Sequence, residues 1–172
     1  ATAGPNGAIL PSGTNLVGHG SNIAFTLFPN PSYHVSNVVV DAIGIGPTGS
    51  YTFANVVTDH TIHVTFEHDP VPLLVTSPYG TPTPPVGTNP LPWNSLLSPF
   101  LAGSPQPAGP GTQQVCIGWT GTGDVPPFGT GTGIGALPLS NASSIAWNWK
   151  TQVLLSAAAG PNGGVTVSNG WY

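Results

Sequence analysis

The sequence Ala-Gly-Pro-Asn-Gly lies near both ends of the chain, at residues 3–7 and again at 159–163. Pro sets φ for the second position of a β-turn, Asn tolerates the third, and Gly supplies a left-handed residue. Each copy leads into a short apolar run. Self-similarity within one chain is the signature of repeat architectures. The sequence therefore predicts tandem units, with the second copy of the turn opening a further unit.

Short strand signals separated by turns fill the chain, and helical periodicity is nearly absent. The clearest alternation, over residues 60–66, places Ile62, Val64 and Phe66 on one face of a strand. The 24 glycines and 21 prolines, about a quarter of the chain, punctuate such strands. We predict an all-β fold, with a β-hairpin over residues 3–10.

Charged side chains are rare. One lysine, Lys150, stands against five acids, and the formal net charge is −4 at pH 7. A single cation cannot neutralise phosphates, which excludes nucleic-acid binding and electrostatic attachment to an anionic membrane. No apolar stretch is long enough to cross a bilayer, so we predict no membrane insertion. The shortage of charge and of tryptic cleavage sites favours an extracellular or cell-surface location.

Four segments of the first 67 residues share an ordered pattern of aromatic and β-branched residues. They are Tyr33-His-Val35, Val38-Val-Val-Asp41, Tyr51-Thr-Phe53-Ala-Asn-Val56 and His60-Thr-Ile-His-Val-Thr-Phe66. The pattern resembles divergent internalin B-type repeats of bacterial surface and secreted proteins, which usually have Gly at the positions of Ser32 and Ala42. The resemblance implies that residues 1–68 form a small β-rich repeat domain.

A second repeat is expected after a joint at residues 69–72. The segments that indicate this repeat are Val75-Thr-Ser-Pro-Tyr-Gly80, Pro84-Pro-Val-Gly87, Val115-Cys-Ile-Gly-Trp-Thr-Gly-Thr-Gly123 and Ser144-Ile-Ala-Trp-Asn-Trp-Lys-Thr-Gln152. They resemble a related repeat type from the same kind of protein, which implies a second β-repeat domain over 73–152. Within it, residues 144–149 take the position that 60–66 hold in the first. Residues 89–110, rich in Pro and Leu, are expected to form an ordered loop or a contact surface.

Residues 153–172 are predicted to be a half-repeat hairpin. Its arms would be Val153-Leu-Leu155 and Val165-Thr-Val167, around the turn at 160–163. An isolated hairpin is marginal in water, so this one is expected either to continue into a longer array of repeats or to pair with the first unit of another copy. The predicted polymer contacts are Val153, Leu154, Leu155, Val165, Val167, Trp171 and Tyr172.

Three histidines, His60, His63 and His68, form the one ligand-like cluster of the sequence. Metal sites need converging ligands, whereas alternation along a strand directs His60 and His63 to opposite faces. The pattern favours structural or solvated histidines over a metal site. We predict no metal and no other cofactor.

The tryptophans offer a choice between core packing and sugar binding. Trp147 and Trp149 lie two apart on a predicted strand and share a face with Ile145. That face is expected to point into the core, the alternative being a flat platform for a glycan. Trp93 and Trp171 are predicted to make contacts with other molecules.

Other chemical signals are weak. Cys116 is alone, which excludes an intrachain disulfide, and it is predicted to be buried and inert, with intermolecular pairing as the alternative. Asn141-Ala-Ser143 matches the short acceptor motif of N-glycosylation. The chain has no nucleophile elbow and no phosphate loop ending in Lys. We therefore predict that it is not an enzyme.

Two functions follow from these patterns. The first is a structural subunit of an extracellular bacterial filament or surface stalk, a homopolymer formed by strand addition between residues 153–172 and the first unit of a neighbouring copy. The second is a carbohydrate- or surface-binding module from a larger adhesin or secreted enzyme, with a glycan as its partner.

Overall fold

The computed structural model describes residues 1–166 and 169–172, and it divides the chain into two compact units. Unit 1 is Ala1–Asp69 and unit 2 is Pro70–Tyr172. The described residues form strands and turns without a helix, which confirms the all-β prediction. The frequent Gly and Pro residues explain this, because they interrupt every apolar run before a helix of useful length could form.

Unit 1 contains seven strands in two sheets. They are β1 (Thr2–Ala3), β2 (Gly7–Leu10), β3 (Ser21–Pro29), β4 (Tyr33–Val40), β5 (Ile43–Gly46), β6 (Ser50–Val56) and β7 (Ile62–His68). One sheet has the order β1-β7-β4-β5 and the other β2-β3-β6. Side chains from both sheets form one buried cluster: Ile9, Phe25, Leu27, Val35, Val38, Val40, Phe53, Ile62, Val64 and Phe66. The predicted inward face of residues 60–66 is confirmed.

The hairpin predicted over residues 3–10 is wrong. Strand β1 lies parallel to β7, with Thr2 opposite His63, whereas β2 lies antiparallel to β3, with Ile9 opposite Leu27. The turn between them therefore carries the chain from one sheet to the other. This arrangement buries Ile9, which is 1% exposed, between the sheets. A two-stranded hairpin would have left it in solvent.

The described residues of unit 2 form eleven strands. They are β8 (Val71–Thr76), β9 (Thr81–Thr83), β10 (Gly87–Leu91), β11 (Ser95–Leu97), β12 (Phe100–Ala102), β13 (Gln106–Gly109), β14 (Thr112–Thr122), β15 (Phe128–Gly129), β16 (Leu137–Leu139), β17 (Ser143–Leu155) and β18 (Gly170–Trp171). The main sheet has the order β10-β8-β17-β14-β13, with β15 on β14 and β18 on β17. Two small sheets, β11-β16 and β12-β9, complete the unit.

The two units share one strand arrangement. In unit 1, β7 lies between β1, which is parallel to it, and β4, which is antiparallel. In unit 2, β17 lies between parallel β8 and antiparallel β14. Strand β17 thus holds the position in unit 2 that β7 holds in unit 1. Each unit also sends its second strand to a different sheet from its first.

The first predicted arm of the last hairpin is a strand, and the second predicted arm needs correction. Val153, Leu154 and Leu155 are the end of β17, and Val153 is paired with Thr112 of β14. The returning arm is Gly170–Trp171, which pairs with Leu155 and Leu154. Val165 lies in no strand, and Val167 lies outside the described residues. Pairing with β14 continues strand β17 past residue 152. The chain therefore turns back later than the apolar pattern predicts.

Candidate functional site

The terminal ribbon, residues 153–172 as far as they are described, is held to unit 2 by few bonds. Val153 and Tyr172 exchange two backbone hydrogen bonds of 2.9 and 3.1 Å, and the Leu154 amide donates to Gly111. The amide of Ala157 donates to the side-chain oxygen of Asn169 at 2.6 Å. These contacts fix both arms at their base and leave the residues between them on the surface.

Six large apolar side chains of the terminal ribbon are exposed to solvent. Their exposed fractions are 54% for Val153, 47% for Leu154, 41% for Leu155, 41% for Val165, 42% for Trp171 and 55% for Tyr172. No charged residue follows Lys150 in the sequence. Natural sheet edges are usually protected by charge, and this one carries exposed apolar side chains instead. The ribbon is therefore the candidate functional site.

A second feature of the site is a turn sequence whose Pro and Gly positions recur in the chain, with the left-handed residue at Asn6 in the first copy and at Gly80 in the second. The corner turns, residues 4–7 in unit 1 and 77–80 in unit 2, both follow the unit's first strand and have Pro at their second position and Gly at their fourth. In unit 1, a Cβ added to Gly7 would overlap the ring of Phe66. In unit 2, one added to Gly80 would lie 3.0 Å from Trp149 and 2.7 Å from the Ala102 carbonyl.

Each corner glycine is thus covered by an aromatic side chain from the strand parallel to the unit's first strand. The third corner turn, Gly160–Gly163, lies in the terminal ribbon and has no such cover. Its ends are joined by a 3.2 Å hydrogen bond from the Gly163 amide to the Gly160 carbonyl. A Cβ on Gly163 would meet no described group within 4 Å. The glycine is therefore not required by its surroundings within this chain.

Sequence reasoning missed these glycine–aromatic contacts. The signal was present, because Ser77-Pro-Tyr-Gly80 repeats the Pro and Gly positions of Gly4-Pro-Asn-Gly7. The aromatic partners, Phe66 and Trp149, come from distant strands, so only the structure brings them to the turns.

The three clustered histidines have separate partners. His60 Nδ1 lies 2.7 Å from Asp41 Oδ2, and the ring stacks on Phe53 at 4.7 Å. His63 Nδ1 lies 2.8 Å from Thr2 Oγ1, and the His68 ring lies 4.6 Å from that of Tyr33. Over residues 1–166 and 169–172, no group of three or more potential ligands could hold a metal.

Asp41 is an anchor that the sequence did not single out. Its Oδ1 accepts a 2.7 Å hydrogen bond from the Thr61 amide, and its Oδ2 is paired with His60. These bonds, the Thr61 amide first and His60 second, hold the pKa of Asp41 below its ordinary value. The carboxylate ties the turn after β4 to the start of β7. A similar pair joins His34 Nδ1 and Asp69 Oδ1 at 3.0 Å.

The tryptophans of the main sheet are structural. Trp147 is 3% exposed and packs edge-on against Trp119, with ring centroids 6.0 Å apart. Trp149 is half-buried, and its indole N–H donates to Ser77 Oγ at 3.0 Å. These positions confirm core packing for Trp147 and leave no flat platform there. Trp93 is 45% exposed, and its predicted contact role stays a prediction.

Asn141 lies in a hydrogen-bonded clasp around Asp124. Asn141 Nδ2, the atom that N-glycosylation modifies, donates to Asp124 Oδ1 at 3.0 Å and to Ser140 Oγ at 3.1 Å. Together with the Ser140 and Asn141 amides, this side chain lowers the pKa of Asp124 to about 2. Ser143 of the motif is 5% exposed. Modification of the folded chain would have to release the clasp, and glycosylation stays a prediction.

Unit 1 also carries an open groove of about 740 Å³. Its lining includes the aromatic residues Phe25 and Phe53 together with His19 and Asp59. Leu16, on the loop before β3, is fully exposed beside it. The groove has the mixed apolar and polar lining of a ligand site, but no converging acid–base pair is present among its described residues.

Comparisons with protein-family models, curated proteins and solved structures find no match for this chain. Within the part of the chain that the structure describes, no helix is of a length and apolarity that would span a membrane.

Proposed function

We propose that this protein is a structural subunit of an extracellular filament or surface stalk that associates with copies of itself through the terminal ribbon. The observation that carries the proposal is the exposed apolar surface of the ribbon. Val153, Leu154 and Trp171 expose between 42% and 54% of their surface while their backbones are already held in strands. Little ordering entropy would oppose docking of such a preformed edge.

The arrangement of the ribbon suits strand addition. Its backbone supplies hydrogen bonds, while alternate side chains set the register against a partner sheet. The absence of charge after Lys150 removes the usual barrier to such pairing. The role needs no reaction step, in keeping with the lack of a catalytic motif in the sequence.

The wider composition supports an extracellular assembly. A chain with one lysine and five acids has few charges to keep individual copies apart in solution. It also offers trypsin-like proteases a single cleavage site. Both properties favour a surface that is covered in an assembly outside the cell.

Truncation after Leu155 tests the proposal. It keeps β17 whole and removes residues 156–172. Sedimentation velocity over a concentration series and negative-stain images should show ordered assemblies for the full chain and monomers for the truncated one. Phe128→Ser is the matched control, because Phe128 is also apolar and is 76% exposed but lies outside the ribbon. Assemblies that persist unchanged after truncation would contradict the proposal.

The groove of unit 1 favours a second candidate function, binding of a carbohydrate or another surface ligand. Leu16 and Val57 provide exposed apolar side chains in its lining, and Asp59 provides a hydrogen-bond acceptor there. Titration calorimetry with soluble polysaccharides would detect such binding. Asp59→Asn should then weaken it, and Glu67→Gln, on β7 away from the groove, should not. An absence of heat with every glycan would remove this candidate.

A further inference from the structure

We propose that the third corner turn and its flanking residues bind unit 1 of a second copy in the place that residues 2–10 of that copy occupy. This inference rests on the proposed function and names the acceptor of the terminal ribbon. Two observations carry the inference. The ring of Phe66 covers Gly7 in unit 1, whereas the third corner turn of the same chain has no aromatic cover.

In the structure, residues 2–10 of the same chain occupy the acceptor site. Residues Thr2 and Ala3 pair with His63 and Val64 along the edge of β7, and the Gly4 amide donates to the Val64 carbonyl at 2.8 Å. After the corner, β2 pairs with β3 over four residue pairs. The site therefore binds an extended ribbon through two sheet edges, one on each side of the corner turn.

The terminal ribbon carries the side chains that this site needs. Aligning the two Ala-Gly-Pro-Asn-Gly segments places Gly163 at Gly7, where the Phe66 ring leaves no room for a Cβ. The same alignment places Val165 at Ile9, whose side chain fills the core of unit 1. Val165 is 41% exposed in its own chain, so it is available for burial in another.

In this exchange, the incoming ribbon competes for the acceptor site with residues 2–10 of the acceptor copy. Ile9 is larger than Val165 and is tethered to its site, so the closed monomer is favoured when the protein is dilute. High protein concentration favours exchange, because each ribbon then finds a neighbouring acceptor. Val165→Ile removes the difference in size and should lower the concentration needed for association.

Two neighbouring glycines provide a matched test. Among the described residues of its own chain, neither Gly163 nor Gly164 would bring a Cβ within 4 Å of another group, and neither has a positive φ. In the acceptor site, Gly163→Ala would press a methyl group onto the Phe66 ring, which is only 9% exposed. Gly164→Ala would reproduce Ala8, which the site already holds. We expect the first change to weaken association about tenfold and the second to leave it unchanged.

A reversible disulfide bond that holds β2 in place tests this inference separately from the proposed function. Leu10 and Thr26 are directly opposite each other on β2 and β3, and both are exposed. In the variant L10C/T26C, an intrachain disulfide would hold β2 in its site. Sedimentation velocity should show monomers when the variant is oxidised and assemblies when it is reduced, with mass spectrometry following the bond.

The possible results have different consequences. Assemblies that form equally well in the oxidised and reduced states would overturn the exchange and leave the proposed function standing. Monomers at every concentration, for the unmodified chain as well, would overturn both. Equal effects of Gly163→Ala and Gly164→Ala would also overturn the exchange, since only the first encounters Phe66.

Discussion

Asp41 and His60, 19 residues apart in the sequence, are joined by a 2.7 Å contact between Oδ2 and Nδ1. Asp41 has a left-handed backbone, with φ of 48°, and its other carboxylate oxygen accepts the Thr61 amide. His60 in turn covers the ring of Phe53. One acid thus connects the turn after β4, the start of β7 and an aromatic side chain of the second sheet.

Asp41→Asn should destabilise unit 1, because an amide cannot accept both hydrogen bonds as strongly as a carboxylate does. Asn tolerates the left-handed backbone, so the change tests the charge rather than the turn. NMR amide signals from unit 1 during thermal unfolding would measure the loss. Glu67→Gln, an exposed acid on β7, is the control and should have little effect.

The same carboxylate predicts a pH dependence. Because the pKa of Asp41 is lowered in the fold, its stabilising contribution is complete above the ordinary value of 3.8 and is lost as pH falls through the lower folded value. Acid should therefore destabilise unit 1 of the wild type more than unit 1 of Asp41→Asn. An identical loss of stability in the two proteins would contradict this.

Unit 2 should show its own acid transition, centred on Asp124. This is the only Asp or Glu in Pro70–Tyr172, and all five tryptophans lie in the same unit. The pKa of Asp124 is lowered to about 2, so its contribution is present above 3.8 and is lost as pH falls through about 2. Denaturant midpoints followed by tryptophan fluorescence should fall across this range. Asp124→Asn should lower the midpoint at neutral pH and remove most of the further fall.

Ser32→Gly and Ala42→Gly should each stabilise unit 1 by about 0.5–1 kcal/mol. Both residues are exposed and have left-handed backbones, with φ of 66° and 68°. Glycine relieves that conformation and removes no buried side chain. Ala24→Gly, at an exposed position within β3, is the control and should destabilise by a similar amount. Chemical denaturation of the three variants gives the comparison.

Cys116 should react slowly with thiol reagents while unit 2 is folded. It is 7% exposed, and burial raises its pKa. The thiolate is the reactive form, so both effects slow the reaction, and we expect a rate roughly a hundredfold or more below that in denaturant. Rapid labelling of the native chain would show that Cys116 is accessible.

The features predicted correctly from the sequence are local ones. Ile62, Val64 and Phe66 face inward as predicted, because alternation along a strand depends only on neighbouring residues. The hairpin over residues 3–10 was wrong for the opposite reason. The partner of Thr2 is His63, 61 residues away, and nothing in a five-residue turn indicates which edge its arms will join.

In the candidate site, too, local features are predictable from the sequence and long-range pairing is not. The exposed apolar residues of the ribbon, such as Leu154 and Val165, were singled out from their sequence pattern. The true return arm at Gly170–Trp171 was not, because it depends on how far β17 extends along β14. Asp41 was read as part of a motif, and its link to His60 becomes visible only when β4 and β7 lie side by side.

The parallel pairing of the first strand of each unit has a mechanical consequence. The chain enters unit 1 through β1 and leaves through β7, at opposite ends of a parallel pair, so tension on the chain loads the hydrogen bonds between them in shear rather than opening them one by one. The first strand of unit 2 also pairs in parallel, with four residue pairs between β8 and β17 against two between β1 and β7. Under a steady pull along these strands, the β1–β7 pair would therefore yield before the β8–β17 pair.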